Sequence, residues 1–571
     1  MADMILKNGK VLSANKENKT GVETAVLIRD GLIEAVGNDE DILQYAEEDT
    51  RIIDCSGNTI MPGICDAHCH PSTAANVFIS CQLFDITGTA EETCDQVIKK
   101  YMDRIEKYCD EHKDYDIIKG NGWNRAFFMN ICKEKRWPTR HDLDRVCSDR
   151  PVILESYCLH CIWVNSKAIE LAGLSEETPD PETGEIIRET DGYPSGIFFD
   201  VEATNLIKNN IAGYDYTVEQ YKETLKRYQK ECALCYGITL TNDCLCTENA
   251  LQAYKELAMD GELQMRFRGV YLLEHCGVPE EVEAIKMLKG RDNVNDTFEI
   301  NTIKIFLEGE FSMLEPYEKD FLELQGLPEN YSGENFFDDD NVKESFVSCM
   351  DTGMQIHIHA MGDKAVRQAV RCLAYAQQKT GMQNRNVIAH LMKIDDEDLK
   401  LMGENNIVAN LQPRWMIYDS EMEDSYIGMF GRKRALDMYP CRRFYDAGCI
   451  VSYGTDFPVT PPPNPFHEIQ CAITRSVFAA DEAEYERYKG TILGNDETPT
   501  AECVSLEDAV RSITWAGAYQ NFLEDVTGSI EVGKSADIAV LDADIEEADV
   551  DRIYDIGVAY TLFKGNIVYE K

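Results

Sequence analysis

The segment Met61-Pro62-Gly63-Ile64-Cys65-Asp66-Ala67-His68-Cys69-His70 carries an HxH pair. Side chains alternate along a strand with a period of two. His68 and His70 therefore project to one side and can grip one cation through neutral imidazole nitrogens. An isolated HxH says little, but three further strand-like segments also end in ligand-type residues. Residues 355–359 close on His359, followed by Ala360-Met361-Gly362-Asp363; residues 387–390 close on His390; residues 451–453 run into Gly454-Thr455-Asp456. Four strand ends thus offer four imidazoles and a carboxylate, a donor set suited to divalent ions.

Such ligands need a frame that gathers strand ends. β-branched runs at residues 153–155, 238–242, 267–273, 302–307, 355–359, 387–390, 407–411 and 450–453 alternate with helical patterns at 217–236, 363–380 and 505–519, the last opening on a Ser505 cap. That rhythm signals βα units and an α/β fold, a distorted TIM (β/α)8 barrel whose site lies at the C-terminal strand ends. Residues 4–12, 25–36 with an Asp30-Gly31 turn, and 51–54 read as hairpin strands. Residues 537–541, 559–563 and 567–569 repeat the pattern around Lys564-Gly565-Asn566. The expected organisation is a small composite β-sandwich domain from residues 1–60 and 524–571 and a barrel over 61–523. A subdomain inserted at about 71–200 is expected over the barrel mouth, where long loops shape access.

The chain resembles the amidohydrolase superfamily, within it the YtcJ-like branch related to N-substituted formamide deformylases. The resemblance runs through Pro62-Gly63, Asp66-Ala67-His68-Cys69-His70, Trp163-Val164-Asn165-Ser166, Pro194-Ser195-Gly196, Ile303-Lys304-Ile305-Phe306, His359-Ala360-Met361-Gly362-Asp363, Gln412-Pro413, Thr455-Asp456-Phe457-Pro458-Val459 and residues 528–537. It implies that His68, His70 and Asp456 hold the more buried metal, that His359 and His390 hold a second, and that Lys304 occupies the position of an N6-carboxylated lysine bridging both. A buried lysine near cations has a lowered pKa, which suits carbamate formation; a lysine on a strand is otherwise a surface or ion-pair residue. The implied cofactor is one or two divalent ions, zinc above all, although the ligand types also suit manganese or iron. An ion held this way activates a water and polarises a carbonyl. Asp456 would take the proton and pass it to the departing nitrogen of a non-peptide C–N bond.

Several neighbours could shape a substrate pocket. His357, two residues before His359, is either a substrate contact or itself the ligand; His160 either lines the pocket or packs in the core. Glu308-Gly309-Glu310 departs from the family's Asp-Gly-Ser, so Glu308 and Glu310 are candidate substrate contacts and the family's usual substrate cannot be assumed. Arg475 could bind a carboxylate or serve a structural ion pair. Two rivals remain. One is a mononuclear deaminase or deformylase on the same fold, although the proton-shuttling Glu that follows a barrel histidine in such deaminases is missing after His359. The other is a non-catalytic scaffold, disfavoured by the full ligand set.

Composition narrows the partners. Among 571 residues, 56 are basic and 102 acidic, a net charge of -46 that repels nucleic acid and anionic membrane surfaces and leaves a small-molecule substrate as the expected partner. A homodimer is permitted but has no dedicated signal. Residues 1–8 lack the basic and apolar regions of a signal peptide and no apolar run reaches spanning length, which points to the cytoplasm. The 21 cysteines read as mostly free, small apolar side chains. The Cys158/Cys161 and Cys232/Cys235 pairs lie too far apart for the usual zinc ribbon.

Overall fold

Eight parallel strands follow one another in chain order: Ile64–Cys69, Ile238–Asp243, Arg266–Leu272, Phe298–Phe306, Gln355–Ala360, Val387–His390, Val408–Leu411 and Val451–Tyr453. This computed structural model describes residues 4–15, 23–89, 91–132, 134–157, 161–181, 184–309 and 311–571. The strands are rich in Ile and Val and buried along their length, as expected of a parallel sheet covered by helices. Just beyond the eighth strand the chain closes on the end of the first: Asp456 N donates to His68 O at 2.9 Å, and His70 N donates to Phe457 O at 2.8 Å. Gly454 makes this seam possible, because a Cβ there would lie 2.5 Å from His68 N.

Helices fill the returns, among them Glu248–Met259, Pro279–Leu288, Asp339–Asp351, Asp363–Thr380 and Asp396–Glu404. The pattern at 505–519 is two helices, not one. Leu506–Ser512 starts on Ser505, whose side chain accepts from Asp508 N, and a separate Trp515–Gln520 follows after Thr514 leaves helical backbone. The second helix reaches into the barrel, to the start of the fifth strand and the middle of the first and eighth. Gln520 Nε2 donates to Ala67 O at 2.8 Å, Ser452 Oγ donates to Gln520 Oε1 at 2.5 Å, and Gln355 Nε2 donates to Gln520 O at 2.7 Å. Gln520 thus anchors the buried polar network of the barrel floor.

Both chain ends build the β-sandwich. One sheet is ordered Leu32–Gly37, Ala25–Arg29, Met4–Lys7, Arg51–Asp54; the other runs Lys10–Val11, Thr59–Pro62, Ile538–Leu541, Val558–Phe563, Asn566–Glu570. They share a core that includes Leu6, Val26, Ile28, Ile60, Ile538, Val540 and Leu562. Both expected hairpin turns use left-handed backbone, at Asp30-Gly31 (φ 50° and 79°) and Lys564-Gly565 (φ 49° and 72°).

Ser72–Thr224 forms a compact unit of its own. Its six-stranded sheet is ordered Glu185–Arg188, Pro194–Phe199, Cys161–Val164, Val152–Ser156, Ile118–Trp123, Cys81–Gln82, over a core with Tyr101, Trp123, Phe127 and Trp163. The run at 153–155 belongs to this mixed sheet and not to the barrel rhythm, because a short apolar strand carries no mark of the sheet it joins. Cys94 and Cys132 form a disulfide, and eighteen cysteines are free thiols among the described residues. No helix among the described residues is long and apolar enough to cross a membrane.

Candidate metal centre

The seam between first and eighth strands brings three donors together. His70 Nε2 lies 2.9 Å and His68 Nε2 lies 3.3 Å from Asp456 Oδ1. Ligand atoms of all three residues fall within 4.8 Å of one another, so they converge on a volume one cation can share. His68 is fully buried, and its Nε2 makes no hydrogen bond among the described residues. An orphaned buried polar atom in a native fold calls for a partner, and a divalent ion fits this N/O set.

His390 ends the sixth strand beside these groups, with ring centroids 4.8 Å from His68 and 4.5 Å from His359. Its Nδ1 lies 2.9 Å from Gln412 Oε1, while Gln412 Nε2 donates to Asn410 Oδ1 at 2.8 Å. The amide is thereby oriented with its oxygen toward the imidazole, His390 carries its proton on Nδ1, and its Nε2 is left as a lone pair. Trp415 stacks on the His390 ring at 5.4 Å and donates Nε1–H to Thr460 Oγ1. His390 (φ 79°) and Asp456 (φ 56°) both occupy left-handed backbone. Non-glycine residues adopt it at a cost on the order of 1–3 kcal/mol, typically where function demands it.

Lys304 pairs in register with His357, and Phe306 with His359, across the fourth and fifth strands. Lys304 is fully buried with no hydrogen-bond partner for Nζ among the described residues. Burial lowers its pKa below the usual lysine value, with Cys244 and Asp456 acting in the opposite direction. Burial likewise holds His68, His357 and His390 well below the ordinary histidine range, so their rings are neutral, the form that binds metal. Burial pushes Asp456 up, but the His70 hydrogen bond, with His70, His390 and Lys304 close by, outweighs it and holds the carboxyl below its usual range, so it is ionised. Asp66, raised by burial to about 6, accepts from Thr455 N and Oγ1 and so fixes the residue before Asp456.

The structure redirects three expected substrate contacts. His357 is fully buried one layer deeper than His359, with Nε2 2.8 Å from His68 Nδ1, so it supports the centre and does not face a substrate. Glu308 is buried and raised to about 8 by burial; it accepts from Ser312, Met361 and Gly362 N–H, tying the loops after the fourth and fifth strands together. Arg475 is fully buried, donates to the carbonyls of Leu493, Tyr439 and Met438, and makes no ion pair among the described residues, so it serves main-chain groups and not a carboxylate. His160 and Glu310 lie outside the described residues. Sequence reading missed Cys244, which directly follows the second strand and is fully buried beside His68 and His357. It also missed the orienting role of Gln412, although Gln412-Pro413 stood out as a motif.

A closed parallel barrel with histidines and a carboxylate at its C-terminal strand ends defines a metal-dependent hydrolase type of centre. Comparison with known proteins gives the family: the chain matches the amidohydrolase family over residues 51–569 and belongs to it. Over 562 residues it is 27% identical to YtcJ of Bacillus subtilis (strain 168), covering 96% of each chain. Over 584 residues it is 24% identical to the N-substituted formamide deformylase of Arthrobacter pascens, covering 100% and 99%. A metal-dependent hydrolase of Pyrococcus horikoshii OT3 shares the fold at a TM-score of 0.71 and 20% identity, with 100% of each chain covered. The protein is an amidohydrolase, an enzyme class acting on carbon–nitrogen bonds other than peptide bonds, and its family uses divalent metal.

Proposed function

We propose that this enzyme hydrolyses an amide-type C–N bond of a small molecule, with a divalent ion, zinc by preference, held by His68, His70 and Asp456. The convergence of His68 Nε2, His70 Nε2 and Asp456 Oδ1 carries this reading. When bound, the ion supplies Lewis acidity toward a water and a scissile carbonyl. Asp456, kept ionised, accepts the proton given up by the water and delivers it to the leaving nitrogen. His359 and His390 stand ready for a second ion, and Lys304, whose pKa burial lowers, is chemically suited to N6-carboxylation. The similarity to an N-substituted formamide deformylase makes N-formyl and N-acyl amines the first substrates to try. The cytoplasm remains our expected location.

A mononuclear enzyme is the second reading. It is favoured by the fact that the three seam donors alone already form a complete protein set for a catalytic ion. The test is release of amine from a panel of N-formyl amines, N-acyl amines, cyclic amides and carbamates, using enzyme as purified, stripped with chelator and reloaded with zinc. Hydrolysis that disappears on stripping and returns on reloading supports the proposal; no hydrolysis of any panel member by fully loaded enzyme contradicts it.

A further inference from the structure

The hydrolytic reading leaves one interaction in the barrel unused. His68 Nδ1 and His357 Nε2 face each other at 2.8 Å, and both rings are fully buried. Two imidazole nitrogens at that separation share one proton, so one must donate and the other accept. The rest of the site decides which. His68 turns Nε2 toward Asp456 and His70, and holding an ion there requires a lone pair on Nε2. Its proton then sits on Nδ1, and His357 Nε2 is the acceptor it meets. His357 then carries its own proton on Nδ1, a buried atom with no hydrogen-bond partner among the described residues.

We propose that His357 is a positioning residue: it fixes the tautomer and ring orientation of His68 so that Nε2 is presented to the ion. This rests on the reading of the barrel mouth as a metal centre. Metal-ligating histidines usually pass their second N–H to a carboxylate, a carbonyl or a water. Here a neutral imidazole does that work, from the fifth strand, two residues below His359. The competing arrangement is an inner ligand set of His68, Cys244 and His357, whose ligand atoms also lie within 4.8 Å of one another. Because His68 engages His357 Nε2, His357 could join such a set only through Nδ1, and the cobalt spectra of the variants separate that arrangement from the proposed one.

The test uses the full chain as wild type, His357→Gln and His357→Leu. Glutamine keeps an acceptor oxygen; leucine fills space without one. Zinc affinity is measured by competition with a chromophoric chelator, and the visible d–d bands of the cobalt(II)-loaded proteins are recorded alongside thermal melting. The expected result is a loss of about 10–100-fold in affinity for His357→Leu, recovery to within about 3-fold for His357→Gln, and cobalt bands of the same position and intensity in all three. Wild-type affinity in His357→Leu overturns the proposal, as does a change in cobalt bands or stoichiometry in either variant, which would make His357 a ligand. Should the leucine variant not fold, the glutamine variant decides: near-wild-type affinity with unchanged bands supports the proposal, and a loss matching that of His70→Ala overturns it. A wild-type protein that binds no divalent ion fails at the metal reading, before His357 is reached.

Discussion

The floor and the mouth of this barrel are built from the same strands yet treat buried polar groups in opposite ways. At the floor, the Gln520 side chain meets Ala67 O and Ser452 Oγ, and its main-chain carbonyl meets Gln355 Nε2. At the mouth, His68 Nε2 and Lys304 Nζ are equally buried and have no hydrogen-bond partner among the described residues. Leaving a buried polar group unpaired costs roughly 1–3 kcal/mol, more for a charged one. The polar side chain of Gln520 is fully engaged, whereas His68 Nε2 and Lys304 Nζ are not, and it is these that are left for something that binds.

Breaking the mouth should abolish function without unfolding the protein. Asp456→Asn removes the carboxylate that moves the proton, and kcat on any responsive substrate is expected to fall on the order of 10²–10⁴-fold, with the melting curve of the stripped protein little changed. Gly454→Ala strikes the seam between the two ends of the sheet, where its Cβ would press on the His68 backbone. About 1–3 kcal/mol of stability should be lost and zinc occupancy should drop with it, both measurable on one sample. Gln520→Leu attacks the floor: Ala67 O loses its donor and Ser452 Oγ keeps only Asn410 Nδ2, and urea unfolding should show a loss of about 1–3 kcal/mol while metal content stays at the wild-type value. A loss of metal in this variant would erase the distinction between floor and mouth. The smallest effect is expected from Arg475→Lys, which keeps the charge but serves fewer of the three carbonyls. About 1 kcal/mol of stability should go with KM unchanged, whereas a raised KM at unchanged stability would restore Arg475 as a substrate contact.

Much of the mouth was legible in the sequence because strand periodicity is rigid. His68 and His70 had to share a face, and His359, His390 and Asp456 stood where apolar runs ended. Depth was not legible. The two-residue spacing of His357 and His359 places both on one face and says nothing of which is buried beneath His68. Nor does a guanidinium or carboxyl announce its partner: Arg475 and Glu308 serve main-chain groups brought together from distant segments. The sandwich was readable from Asp30-Gly31 and Lys564-Gly565, whose turn chemistry is local. The break at Thr514 that frees the floor helix was hidden, because apolar spacing continues across it and only tertiary bonds to the strands mark the change.

The most direct test of the account is elemental analysis of protein purified without chelator, for wild type and Lys304→Ala, each with and without added bicarbonate. The account predicts at least one divalent ion per chain in wild type, two if Lys304 bridges, with the second lost in Lys304→Ala and restored to wild type by bicarbonate after stripping. One ion per chain, indifferent to Lys304 and bicarbonate, would leave the mononuclear centre standing. A wild-type protein that takes up no divalent ion even when zinc is supplied would contradict the claim that the unpaired groups of the barrel mouth are ligands.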